Sequence, residues 1–127
     1  MNIHHVSIGV RDLNNSKAFY NNILGALGYR PYMEKPGTAS WKPIQGGAAF
    51  WINKRSDVIT DSNNGSHIAF EANSQKQVDQ FYELAIKAGA LNEGPPGLRP
   101  EYRDTYYSAF IVDLDGHKIE AVHCPSK

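Results

Sequence analysis

Two histidines, His5 and His67, occupy matched settings in this chain, and one glutamate, Glu120, completes a set able to hold a metal. His5-Val6-Ser7-Ile8-Gly9-Val10 leads into Phe19-Tyr20, and His67-Ile68-Ala69-Phe70-Glu71-Ala72 leads into Phe81-Tyr82. In both copies the Phe-Tyr pair lies fourteen and fifteen residues after the histidine. A repeated strand–helix unit predicts a pseudo-symmetric fold whose histidines can converge on one point. Strand alternation puts small Ser7 and Gly9 on the face of His5, and small Ala69 on the face of His67. Val6, Ile8 and Val10, and likewise Ile68 and Phe70, take the opposite, helix-covered face. Room beside a ligand-capable side chain is what a site requires. In Lys118-Ile119-Glu120-Ala121-Val122-His123, the same alternation sends Glu120 to the open face if Ile119 and Ala121 pack under a helix. Two neutral imidazoles and one carboxylate leave coordination positions free for water or substrate. Such a set suits Fe(II), Mn, Zn or Ni more than Ca or Mg. A lone strand histidine is more often a satisfied core residue. The repeat relation and the parity of Glu120 raise the joint metal reading above that default.

The elements that must position these groups follow from periodicity. Residues 3–10 alternate as a strand, and Asp12 or Asn14 is placed to cap a helix running to about Leu24. Phe19, Tyr20, Ile23, Leu24 and Leu27 recur at helical spacing, and Gly25 and Gly28 end the helix. Short strands are expected at 28–33, 38–44 and 47–53. Residues 54–65 are polar and turn-rich and read as the linker between copies. The second copy has a strand at 66–72 and a Ser74-capped helix over about 75–88. Its buried stripe is Val78, Phe81, Tyr82, Ala85 and Ile86, and Gly89 closes it. Strands near 90–93, 105–113 and 117–123 follow, with Gly94–Pro100 as a rigid loop and Asp113-Leu114-Asp115-Gly116 as a hairpin turn. The fold class is α+β: two βαβββ units forming a curved mixed sheet, a half-barrel cup with helices outside. A single domain over 1–127, built from repeats 1–53 and 66–124, is expected at this length.

Thirteen basic and thirteen acidic side chains cancel, which argues against a nucleic-acid surface and against attraction to an anionic membrane. Cys124 is the only cysteine, so no intrachain disulfide can form, and the thiol reads as inert. No signal-like segment opens the chain and no apolar run is long enough to span a bilayer. A cytoplasmic protein is expected.

The stretches His5-Val6-Ser7-Ile8-Gly9-Val10-Arg11-Asp12-Leu13 with Ser16-Lys17-Ala18-Phe19-Tyr20, Gly65-Ser66-His67-Ile68-Ala69-Phe70, and Asp113-Leu114-Asp115-Gly116-His117-Lys118-Ile119-Glu120 resemble the vicinal oxygen chelate superfamily in order and spacing. That superfamily includes glyoxalase I, extradiol dioxygenases, fosfomycin-resistance thiol transferases and bleomycin-binding proteins. The resemblance covers nearly the whole chain. It implies that His5, His67 and Glu120 fall on metal-ligand positions, that a divalent metal (Zn, Ni, Mn or Fe) is the cofactor, and that two copies pair as a homodimer completing the cup. The fourth ligand of glyoxalase I, a Glu or Gln on the last strand of the first unit, has no counterpart in the direct register, where Gln45 lies too early unless the alignment slips. Aligning Gly116 with Gly47 matches Glu120 to Trp51, whose indole offers only an N–H donor. Trp51 then reads as a hydrophobic wall for a substrate, or as core.

The run Arg99-Pro100-Glu101-Tyr102-Arg103-Asp104-Thr105-Tyr106-Tyr107 resembles the "GLRP…YY" stretch of one branch of the superfamily. Arg99, Tyr102, Arg103 and Tyr107 form a candidate rim for an anionic or enolate-bearing substrate. The alternative is tyrosines packing a strand and solvated arginines. The functional expectation is a metal-dependent glyoxalase-like enzyme: a lyase or isomerase, or a thiol transferase. Its small substrate would chelate the metal through vicinal oxygens. Glu120 is the candidate catalytic group, with Glu71 and the rim tyrosines as other possible proton carriers. The alternative is a non-catalytic drug- or metabolite-binding protein of the bleomycin-resistance type, its cup lined by Trp51, Trp41 and tyrosines.

Overall fold

A computed structural model describes residues 2–58 and 60–126. The first unit comprises β1 (His5–Val10), α1 (Leu13–Gly25), β2 (Tyr29–Lys35), β3 (Thr38–Pro43) and β4 (Ala49–Lys54). The second comprises β5 (Ile68–Glu71), α2 (Gln75–Lys87), β6 (Leu91–Leu98), β7 (Tyr107–Val112) and β8 (Lys118–His123). The order is βαβββ twice, as the sequence predicts. Asp12 caps α1 by accepting the Asn15 N–H at 3.0 Å, and Ser74 caps α2 by accepting that of Gln77 at 3.1 Å. Each cap satisfies one amide that the first helical turn leaves free.

Each unit forms its own four-stranded mixed sheet, in the order β1-β4-β3-β2 and β5-β8-β7-β6. β1 runs parallel to β4 and β5 parallel to β8, while the remaining pairs are antiparallel. The two sheets make an unclosed cup with both helices outside. Val10, Phe50 and Ile52 of the first sheet, and Phe70, Ile111 and Ile119 of the second, are buried with Phe19, Ile23, Val78 and Phe81 of the helices. Among the described residues no helix is long and apolar enough to cross a membrane.

Three expectations are corrected. Gly94–Pro100 is not a loop throughout, because β6 continues to Leu98. β6 is the edge strand of its sheet and its ladder with β7 slips at Asn92/Gly94 and Gly94/Gly97. An edge with bulges tolerates prolines that lack a donor. Ile86 is 37% exposed, outside the buried stripe of α2. Trp41 is 1% exposed, packed on Tyr20 and Phe50 with its indole N–H on Asn21 Oδ1, so it lines the core and not the cup.

The hairpin turn at 113–116 does more than reverse the chain. Asp113 Oδ1 accepts the N–H groups of Asp115 and His117, both at 2.9 Å, and its Oδ2 accepts the Tyr20 hydroxyl at 2.5 Å. Asp115 Oδ1 accepts both the amide and Nε of Arg11 at 3.0 Å. His117 Nε2 donates to the carbonyl of Gly9 at 2.7 Å. The turn therefore fastens the second unit to the first. Gly116 adopts φ +94°, and a Cβ there would lie 2.5 Å from the Thr60 carbonyl oxygen. Only glycine meets both demands. Burial raises the Asp113 carboxyl above its ordinary range, although Tyr20 and His117 both act to lower it. Burial, and then the charge of Asp113, raises the Tyr20 phenol.

Candidate metal centre

The ladders decide which side chains share the open face of the second sheet. Ala69 stands opposite Glu120, and Glu120 opposite Phe110. Directly paired residues project to the same face. His67, two residues before Ala69, joins them. Its Nε2 lies 3.0 Å from Glu120 Oε1, and its ring centroid 5.9 Å from that of Phe110. Glu120 is only 1% exposed, while the side chain of His67 is 40% exposed. The carboxylate is thus sunk in the wall of the cup and the imidazole stands between it and solvent. Glu71, at the far end of β5, is exposed.

The other oxygen of Glu120 is also taken. Tyr106 donates its hydroxyl to Oε2 at 2.5 Å. Burial, and then the hydrogen bond to Glu120, pushes the Tyr106 phenol well above its ordinary value. It is a donor across the whole neutral range. Two partners for a buried carboxylate match the rule that buried polar groups find hydrogen bonds. Arg99 and Lys118 flank the Phe110 ring, with Arg99 Cζ 5.8 Å and Lys118 Nζ 5.0 Å from its centroid.

The first sheet carries the matching face without a carboxylate. His5 stands opposite Ala49 and Ser7 opposite Trp51. Since His5 corresponds to His67, Ser7 corresponds to Ala69, and Trp51 takes the ladder position that Glu120 takes. Trp51 faces the cup and packs edge-on to Tyr32, centroids 6.3 Å apart. His5 is exposed, with its Nδ1 2.9 Å from that of His4.

One chain therefore brings together two of the three predicted ligands, His67 and Glu120, and leaves His5 on the other sheet. Among the described residues no group of three His, Cys, Asp or Glu side chains gathers closely enough to hold a metal. The rim residues divide. Arg99 is fastened by Nη2 to the carbonyls of Pro95 at 2.6 Å and Ser108 at 3.3 Å. Tyr102 is 62% exposed and packs edge-on to Tyr106. Arg103 is exposed, its Nη1 3.9 Å from Cys124 Sγ. Tyr107 is placed on the helix face, donating to Asp79 Oδ1 at 2.6 Å, a bond that raises its phenol ahead of burial. Tyr106 is the group that sequence reasoning left out of the site. Its signal was parity, because 106, 108 and 110 alternate together toward the face of Glu120.

Two units of this topology, with an imidazole–carboxylate pair on the open face of the second, define a glyoxalase-type fold. A family model described as Glyoxalase/Bleomycin resistance protein/Dioxygenase superfamily matches residues 2–121, and the chain belongs to that superfamily. It is 31% identical to an uncharacterized protein, YqjT, of Bacillus subtilis (strain 168), over 94% of this chain and 97% of that one. It is 30% identical to the metallothiol transferase FosB of Lysinibacillus sphaericus (strain C3-41), over 93% of this chain and 79% of that one. The crystal structure of a glyoxalase/bleomycin resistance protein from Albidiferax ferrireducens T118 superposes with a TM-score of 0.84 at 36% identity, covering 97% of this chain and 98% of that one.

Proposed function

We propose that this protein is a metal-dependent enzyme of the glyoxalase type. His67 and Glu120 of one subunit, with His5 of a second, hold a divalent metal at which a small substrate chelates through neighbouring oxygens. The observation that carries this reading is the 3.0 Å contact of His67 with a Glu120 carboxylate that is 1% exposed. Among the described residues no lysine or arginine pairs with Glu120, only His67. A buried carboxylate beside an imidazole is a donor set that a cation completes. The similarity to a metallothiol transferase supports transfer of a thiol to an electrophile as the reaction class.

The metal, when bound, would supply Lewis acidity to the substrate oxygens. The chain's own residues supply the rest. Tyr106 fixes the outer oxygen of Glu120. Trp51 and Phe110 offer apolar surface that orients a small substrate and excludes water. A binding-only protein of the bleomycin-resistance type is the weaker reading, since Trp41, one of its two indoles, lies in the core.

Metal content per chain tests this, measured on protein purified without chelator or metal-binding tag. Near-stoichiometric Zn, Ni, Mn or Fe is expected in the wild type, and none in His5→Ala or Glu120→Gln. Mixing those two variants by denaturation and refolding then tests the shared site. In a twofold dimer each mixed pair keeps one intact set of ligands, so about a quarter of the wild-type metal capacity returns. Absence of metal from wild type after reconstitution with each ion would refute the enzyme reading.

A further inference from the structure

Tyr106 sits at the end of a segment that closes on itself. The Arg99 amide donates to the Tyr106 carbonyl at 2.7 Å, and the Tyr106 amide to the Arg103 carbonyl at 3.1 Å. Between them, the Tyr102 and Arg103 amides both donate to the Arg99 carbonyl, at 3.0 and 3.3 Å. The Tyr102 ring packs edge-on to the Tyr106 ring, centroids 5.1 Å apart. Residues 99–106 therefore form a compact rim whose two ends are joined by backbone hydrogen bonds. The one side chain it sends to the ligand pair is the Tyr106 phenol, on Glu120 Oε2 at 2.5 Å.

We propose that Tyr106 is a positioning residue that divides the two oxygens of Glu120 and couples the rim at 99–106 to the ligand set. Oε2 is held by the phenol and Oε1 is left turned toward His67, so Glu120 offers one oxygen to a bound cation. The coupling runs both ways. Whatever fixes Glu120 also fixes the phenol, and with it the segment 99–106 that ends on it. A ligand held in one orientation by a hydrogen bond loses less freedom on binding metal, and removing such a partner characteristically costs about 10–100-fold in metal affinity. This inference rests on the metal reading above for its first half, while the rim coupling stands on the hydrogen bond alone.

Two measurements test the halves separately. In the first, zinc affinity is read by competition with a chromogenic chelator for wild type, Tyr106→Phe and Tyr106→Leu. Tyr106→Phe keeps the ring that packs on Tyr102 and loses only the hydroxyl. Affinity about tenfold or more below wild type is expected in both variants. A wild-type affinity in Tyr106→Phe, with loss only in Tyr106→Leu, would reduce Tyr106 to packing and overturn the positioning role. Cobalt(II) spectra of the same proteins give a second readout, since a carboxylate that rotates to offer both oxygens changes the coordination number and the visible bands.

The other measurement uses metal-free protein. Trypsin cleavage after Arg103, which is exposed, reports opening of the rim. Tyr106→Phe and Glu120→Leu should each speed cleavage, since each removes one partner of the hydrogen bond, and the double variant no more than the faster single one, the signature of a shared interaction. Additive acceleration would overturn the coupling. Wild type that binds no zinc, with non-additive cleavage, would sink the metal reading and leave the rim coupling intact.

Discussion

Trp51 and Glu120 occupy the same place in two copies of one unit, and they differ in every chemical respect. Each lies on the last strand of its unit, opposite the residue two places after the histidine. Each faces the cup. The helix-covered faces of the two sheets, by contrast, are alike, with Phe50 and Ile52 in one answered by Ile119 and Ala121 in the other. The comparison separates two kinds of constraint. The core face must be apolar in both units for either to fold. The open face has no such requirement, so one unit holds a buried carboxylate with two polar partners while the other holds an aromatic wall and an exposed His5.

The largest effects test the claim that the cores are equivalent. Phe19→Ala and Phe81→Ala remove rings that are 2% and 0% exposed. Each should cost about 3–5 kcal/mol in urea unfolding. A loss in one unit much smaller than in the other would break the equivalence.

The fastening between units comes next. Tyr20→Phe removes the donor to Asp113 Oδ2 and leaves a buried carboxylate short of a partner, at about 1–3 kcal/mol. The same group predicts a pH effect. Burial raises Asp113 in the folded chain above its unfolded value of about 4. The folded state then binds the proton more tightly, so this group's contribution to stability falls as pH rises from the unfolded value through the folded one. Asp113→Asn should remove that part of the slope, seen as convergence of the two stability curves toward low pH and divergence above it. Parallel curves would show that the carboxyl carries no such linkage.

The smallest effect sharpens the contrast between faces along one strand. Trp51→Ala should lower stability by only about 1 kcal/mol, because Trp51 is partly exposed on the cup face. Phe50→Ala, one residue away but buried beneath α1, should lose about 3–5 kcal/mol. Similar losses at both would make Trp51 core and deny it a role as a wall of the cup.

Much of this was legible in residue order. Ser74 announced α2, and Asp12 or Asn14 announced α1, because short side-chain oxygens satisfy free amides locally; the structure chose Asp12. The alternation around His5, His67 and Glu120 named the open face because strand geometry has a period of two. The pairing of Trp51 with Glu120 by their distance from Gly47 and Gly116 agrees with the observed ladders. Trp41 and Tyr107 were misplaced for the same physical reason in reverse: a large side chain with a polar tip suits either face, and only packing against α1 or α2 settled the matter.

The sequence by itself determined two βαβββ units, the Ser74 cap, the hairpin turn at 113–116, and the face on which His5 and His67 stand, because these follow from local periodicity. The tertiary structure alone decided that His67 meets Glu120, that Tyr106 takes the other carboxylate oxygen, that Asp113 and Asp115 fasten one unit to the other, and that His5 stays on a separate sheet. Those outcomes depend on which strands pair and how the two units lie against each other. Contacts between residues 53, 93 or 104 positions apart are fixed by packing of the whole chain and by no local preference.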